Sequence, residues 1–238
     1  FFDKILIKTI YKLINFRNIS MHKAEDNLIL INNKIKKEIK NYNTLPKVIA
    51  ISKTFSLDYI NPLIKAGHIH FGENKVQEAE KKWKFTKEQN PNIKLHMVGK
   101  LQTNKVKSAL EIFDFLHSLD TLKLAESISK HSDGKKNKIK IFVQVNIGNE
   151  PQKNGIKISD VSEFVENCKK NFSLDIIGLM CIPPFNNDPK TFFSKMQELK
   201  KELNLNDLSM GMSSDYLVAI NYGSSFLRLG TAIFGKRQ

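Results

Sequence analysis

Eight short apolar, β-branched runs, each followed by a longer stretch of helical period, constrain this chain more than any other feature. The alternation is the pattern of repeated βα units, because a strand covered on both faces needs a crossover helix to bring the chain back in the same direction. The spacing predicts strands over Val48–Ser52, Ile69–Phe71, Leu95–Val98, Phe115–Leu119, Ile141–Val145, Ile176–Met180, Leu208–Met210 and Phe226–Leu229. A helix over Lys23–Asn41 precedes the first strand. Further helices are predicted over Leu57–Ala66, Asn74–Trp83, Lys105–Phe113, Thr121–Lys130, Ser159–Lys170, Pro189–Leu203 and Ser213–Tyr222, with Ser56, Asp120 and Ser159 as caps. Polar loops are expected at Asp133–Lys138 and Pro183–Pro189.

Eight such units either close on themselves or lie open as a doubly wound sheet. The turn after the first strand, Lys53-Thr54-Phe55-Ser56, has no glycine for a dinucleotide fingerprint. A single (β/α)8 barrel of the TIM type with an extra N-terminal helix is therefore expected. A chain of 238 residues, 41% hydrophobic, suffices for one core, so one domain is expected over 21–238. Residues 1–20, basic and apolar and followed by Met21, read as an extension outside that core. Cys168 and Cys181 fall in no paired spacing, which argues against a disulfide framework or a thiolate metal site and for a reducing, cytoplasmic compartment. No apolar run approaches the roughly 20 residues that cross a bilayer. The net charge of +14 comes from 38 basic residues, of which only Arg17, Arg228 and Arg237 are arginines. The lysines lie along predicted helix faces without interleaved aromatics, so specific nucleic-acid binding is not expected.

Chemistry in a closed α/β barrel sits at the carboxyl ends of the strands. Ser209-Met210-Gly211-Met212-Ser213 and Leu229-Gly230-Thr231 follow the last two strands. Their glycines allow close backbone approach and their hydroxyls donate, as a phosphate requires; ordinary turn chemistry is the competing reading of either loop alone. Lys53 ends the first strand, where partial desolvation frees an amine to attack an aldehyde, against the alternative of one more solvated lysine. A phosphorylated aldehyde needs both features. Arg228, inside an apolar strand, is either a buried ion pair in the barrel wall or a donor aimed at a ligand's ring nitrogen. His68, His70, His96 and His117 offer a metal site on paper, but their places before and within strands favour packing, so no metal is expected. Glu73 reads as a helix N-terminal carboxylate or a general base.

Eight motifs in order then resemble one family: Val48–Thr54, His70–Asn74 with Val76–Glu78, His96–Gly99 with Leu101–Lys105, His117–Asp120, Val145–Ile147, Gly178–Met180, Leu208–Ser213 and Arg228–Gly235. They are similar to the pyridoxal phosphate homeostasis proteins, relatives of the alanine racemase N-terminal domain, from about Lys23 to Arg237. The resemblance implies pyridoxal 5'-phosphate (PLP) as a Schiff base on Lys53, phosphate contacts from Ser209, Gly211, Met212, Ser213, Gly230 and Thr231, and Arg228 near the pyridine nitrogen. It also implies Asn74 and Met180 in the cofactor site and Lys153 as a second lysine used in cofactor exchange. The flank Pro151-Gln152 and Asn154, together with Lys75 and Lys100, departs from the family pattern. The expected role is a monomeric carrier in vitamin B6 and amino-acid homeostasis that serves PLP-dependent apo-enzymes, with no membrane or metal. The alternative is a low-activity amino-acid racemase. Racemases of this fold take a tyrosine base from an additional domain, and a chain ending at Gln238 is expected to lack it.

Overall fold

The computed structural model describes residues 23–39, 45–132 and 138–236. The expected extension 1–20 and most of the expected loop Asp133–Lys138 lie outside the described residues. Strands β1 (Lys47–Ile51), β2 (His70–Glu73), β3 (Lys94–Met97), β4 (Phe115–Leu119), β5 (Lys140–Val145), β6 (Ile176–Cys181), β7 (Asp207–Ser209) and β8 (Phe226–Leu229) close in sequence order into an all-parallel barrel. Helix α1 (23–38) comes first. Then α2 (Leu57–Lys65), α3 (Val76–Gln89), α4 (Val106–Ile112), α5 (Leu122–Ser132), α6 (Val161–Lys170), α7 (Pro189–Glu202), α8 (Tyr216–Asn221) and α9 (Thr231–Phe234) follow the strands in turn.

Two apolar layers hold this arrangement. Strand side chains alternate, so in β1 Val48 and Ala50 join the layer under the helices while Ile49 turns into the barrel. There it meets Phe115, Phe142, Met180 and Phe226, and burial of each such side chain stabilises by about 1.5–3 kcal/mol. Ala24, Leu28, Ile31 and Ile35, spaced for one helical face, bury the inner side of α1. Asn27 Nδ2 on the same helix donates to Ile233 O at 2.9 Å and fastens it to α9.

The element boundaries differ from expectation where local contacts override pattern. Helix α3 starts at Val76 rather than Asn74 and runs on to Gln89, because Val76, Ala79, Trp83 and Thr86 form one continuous buried ridge. Ser159 is not a helix cap. It lies in a 3-10 turn, Ile158–Asp160, with its Oγ donating to Asp160 Oδ1 at 2.5 Å, and α6 starts at Val161. Ser56 stands at the N-cap position of α2 but makes no side-chain cap bond. Asp215 Oδ1 accepts the Met212 N–H at 2.6 Å and holds that stretch as a turn, so α8 starts only at Tyr216. Helix α9 was not anticipated.

Candidate functional site

The expected site residues gather at the carboxyl ends of β1, β7 and β8, which are consecutive in the closed barrel. Ile49 pairs with Arg228 and Ala50 with Leu229, so Lys53, half-buried just beyond β1, emerges beside the Gly230-Thr231 turn. The Phe55 ring stacks on Phe234 at 4.7 Å and ties the turn that follows Lys53 to α9.

The chain on both sides of Lys53 is clamped from behind. Glu73, at the end of β2 and fully buried, accepts from Ser52 Oγ at 2.7 Å, Lys82 Nζ at 2.9 Å and Trp83 Nε1 at 2.9 Å, all on Oε1. Lys82 Nζ also donates to Ser52 O at 2.9 Å and to Glu78 Oε1 at 3.1 Å. Glu78 Oε1 in turn takes the Thr54 N–H at 2.6 Å, with Thr54 in the left-handed region at φ 69°. Residues 52 and 54 are thus both pinned, which fixes where the Lys53 side chain starts. Among the described residues Glu73 accepts no α3 backbone N–H and is the hub of this clamp.

Arg228 is not the expected ion pair. Its Nη1 donates to Ser209 O at 2.6 Å and Ser209 Oγ at 2.7 Å, and its Nη2 donates to Cys181 O at 2.8 Å. These three bonds leave two of the five guanidinium N–H groups for a ligand among the described residues. Burial lowers its pKa and the neighbouring Cys181 and Asp215 groups oppose that, and among the described residues no carboxylate contacts the guanidinium. Burial pushes the Cys181 thiol beside it up to about 12.

The Ser209–Ser213 and Gly230-Thr231 loops lie against each other. Ser213 Oγ accepts the Ala232 N–H at 3.1 Å and joins them. Gly211 adopts φ +90°, and a Cβ there would stand 2.7 Å from Ala219 Cβ, so only glycine fits the turn. Among the described residues, the N–H groups of Ser213, Ser214 and Thr231 have no hydrogen-bond acceptor, whereas that of Met212 is taken by Asp215. Met212 therefore has no amide to offer.

The remaining candidates are farther out or deeper. Met180 is 1% exposed and belongs to the interior cluster with Phe142 and Phe226. Asn74 is half-buried at the end of β2, where the backbone of Gly99 approaches so closely that a Cβ would lie 2.3 Å from Asn74 O. Lys153, in the β5–α6 connection, is held by Glu150 Oε2 at 2.6 Å and reaches Pro183 O at 3.5 Å. Lys100 Nζ donates to Asn154 Oδ1 at 3.1 Å, so two of the departures from the family pattern meet each other.

The histidines do not form a ligand set, and among the described residues no group of three or more His, Cys, Asp or Glu side chains could hold a metal. His68 lies before β2, not on its face, and its Nε2 donates to His70 O at 2.8 Å. His70, His96 and His117 point into the barrel. Burial lowers His68 and His70 to about 4 and keeps His96 and His117 well below the ordinary imidazole value.

The family model for the alanine racemase N-terminal domain matches residues 27–238. The pyridoxal phosphate homeostasis protein of Haemophilus influenzae is 36% identical over 228 residues, spanning 90% of this chain and 96% of that one. The chain belongs to the pyridoxal phosphate homeostasis protein family. A homeostasis protein from Aquifex aeolicus is also 36% identical, over 81% of this chain and 87% of its own. PipY of Synechococcus elongatus, solved without PLP, superposes with a TM-score of 0.78 at 32% identity, covering 90% of this chain and all of that one. The same protein solved with PLP bound gives 0.77 at 31%, over 89% of this chain. The alanine racemase of Clostridium difficile, at 14% identity and a TM-score of 0.68, shares the fold. No helix among the described residues is long and apolar enough to cross a membrane.

Proposed function

We propose that this chain binds PLP at the barrel mouth and acts in vitamin B6 and amino-acid homeostasis in the cytoplasm, holding the cofactor reversibly and releasing it to PLP-dependent apo-enzymes. Lys53 is the linking amine. Ser213, Ser214 and Thr231 offer amides to the phosphate, with the turn at Gly211 shaping their loop, and Arg228 faces the ring nitrogen. The observation that carries this reading is Arg228: a buried cation that, among the described residues, has no contacting carboxylate and two N–H donors to spare, at the mouth that also presents Lys53. A buried charge of this kind is costly unless a ligand completes its hydrogen bonding. The PLP bound to PipY, a relative at 31% identity, supports the same ligand.

When bound, PLP supplies an aldehyde that condenses with an amine and a ring that withdraws electrons best with its nitrogen protonated. Arg228 keeps its own protons because guanidinium stays charged, so it donates a hydrogen bond to that nitrogen without protonating it. The clamp of Glu73, Glu78 and Lys82 holds Lys53 at one place on the rim. These residues suit retention of the cofactor better than rapid carbanion chemistry. Racemisation needs acid–base groups on both faces of the substrate, and the likeness to racemases at 14% identity extends to the fold alone.

The test is the visible spectrum of the protein with added PLP, beside Lys53→Ala, followed by borohydride reduction and peptide mapping. The expected result is a lysine-linked absorption band that is absent in the variant, with the reduced adduct on Lys53. An adduct scattered over surface lysines, or no band, overturns the proposal.

A further inference from the structure

A file of hydrogen-bonded side chains runs through the barrel from its floor to Arg228. His70 Nδ1 lies 3.0 Å from His96 Nε2, His96 Nδ1 lies 2.9 Å from His117 Nε2, and His117 Nδ1 lies 2.8 Å from Ser209 Oγ. Arg228 Nη1 donates to that same Oγ. The rings are wedged in place: His96 stacks on Phe115 at 4.3 Å and 10°, and His117 on Phe142 at 4.4 Å and 15°. His96, His117 and Ser209 are wholly buried, while half-buried His70 opens on a hollow at the floor lined by Lys94, Asp114 and Lys140.

The direction of the file follows from its top end. Arg228 can only donate, so Ser209 Oγ accepts from it. The Ser209 proton then has a single acceptor among the described residues, His117 Nδ1. A neutral imidazole carries one donor and one acceptor. His117 must therefore donate from Nε2 to His96 Nδ1, and His96 from Nε2 to His70 Nδ1, leaving the His70 Nε2–H directed at the floor. The reverse polarity would make Ser209 Oγ accept twice and strand its own proton in a buried site.

We infer that Arg228 imposes one tautomer, Nε2–H, on His117, His96 and His70, and that this file acts as a positioning relay that holds the Arg228 guanidinium toward the cofactor's ring nitrogen. The inference rests on the PLP reading only for the identity of what Arg228 faces. Ser209 and His117 are positioning residues: they hold the guanidinium plane and, through its bonds, the remaining N–H donors.

The experiment reads the tautomers by ¹⁵N NMR on histidine-labelled protein without cofactor. All three relay imidazoles are expected as Nε2–H with bare Nδ1 at neutral pH. Ser209→Ala cuts the link to Arg228 and is expected to change the tautomer signals of His117 and also of His70, two rings away, and to weaken PLP binding about tenfold. His70→Asn, at the half-exposed end, is expected to leave His117 unchanged, because polarity is imposed from Arg228; this variant decides the matter if Ser209→Ala does not fold. A relay histidine found as Nδ1–H, a His117 that flips in His70→Asn, a His70 untouched by Ser209→Ala, or unchanged PLP affinity in that variant each overturns the relay. Tautomers as stated in a protein that never links PLP to Lys53 would instead remove the cofactor reading and leave the file standing.

Discussion

Mild acid should unfold this protein through its histidines before its carboxylates titrate. His68 and His70 have folded-state values near 4 against 6.5 for a free imidazole, and His96 and His117 lie well below 6.5, in each case chiefly because burial disfavours the cation. Between about pH 6.5 and 4 the unfolded chain binds protons that the folded chain refuses, so the histidine contribution is constant above about pH 7 and stability falls as pH drops through that window. From pH 7 to pH 5 an imidazole held neutral loses about 2 kcal/mol of stability by this linkage. Taking His68, His96 and His117 in full, and halving His70 for solvent screening at the open floor, the loss is about 7 kcal/mol. That is comparable with the whole stability of an ordinary domain. Urea unfolding followed by tryptophan fluorescence of buried Trp83 reads it directly. With a slope of roughly 2–3 kcal/mol per molar, the midpoint should fall by about 3 M between pH 7 and pH 5, or the protein should already be unfolded at the lower pH. A loss under about 2 kcal/mol would mean that the interior imidazoles are hydrated or charged when folded, and the argument from their burial would be wrong.

Lys82→Met strips the cation from buried Glu73 and is expected to cost about 3–5 kcal/mol, near 10 °C of melting temperature, with most of it recovered in the double variant with Glu73→Gln. Recovery failing while both single variants fold would show that the clamp acts by packing rather than charge. Gly211→Ala forces a side chain into a left-handed turn against Ala219 and is expected to cost about 2 kcal/mol or more by thermal unfolding, with PLP binding weakened as the Ser213 loop shifts. Stability equal to that of the parent would refute the steric reading.

The barrel was legible because its signal is global: eight repeats of one pattern leave few ways to close a core, and small boundary errors at Ser52 or Asn74 do not change the count. The mouth was legible for a related reason, since strand order alone puts whatever follows β1, β7 and β8 side by side. Contacts that depend on three-dimensional pairing were not. The bond from Thr54 N–H to Glu78 joins two elements that periodicity treats separately, and nothing in the sequence marks Lys82 among so many lysines as the one turned inward. Arg228 stood out as an arginine in a lysine-rich chain, yet its partners are a serine and two carbonyls, which no charge-pairing rule would find. The histidines read as packing residues from their places before and within strands, but that His96 and His117 stack on phenylalanines and join in one hydrogen-bonded file was not legible.

Two opposing demands meet in this interior. A barrel core is most stable when dry and apolar, and Ile49, Phe142, Met180 and Phe226 meet that demand. A donor for a ring nitrogen at the mouth requires a cation at the edge of the same core, and a cation there needs acceptors that carry no charge of their own, since a carboxylate partner would compete with the ligand for its N–H groups. Backbone carbonyls of Ser209 and Cys181 satisfy that condition, and a serine hydroxyl does so only if it can donate its own hydrogen bond onward. Neutral imidazoles accept that hydrogen bond and hand the donor role down the barrel without placing a second charge in it. The three histidines are on this argument a consequence of keeping Arg228 both buried and available, and Arg228 is the residue whose replacement would make them dispensable.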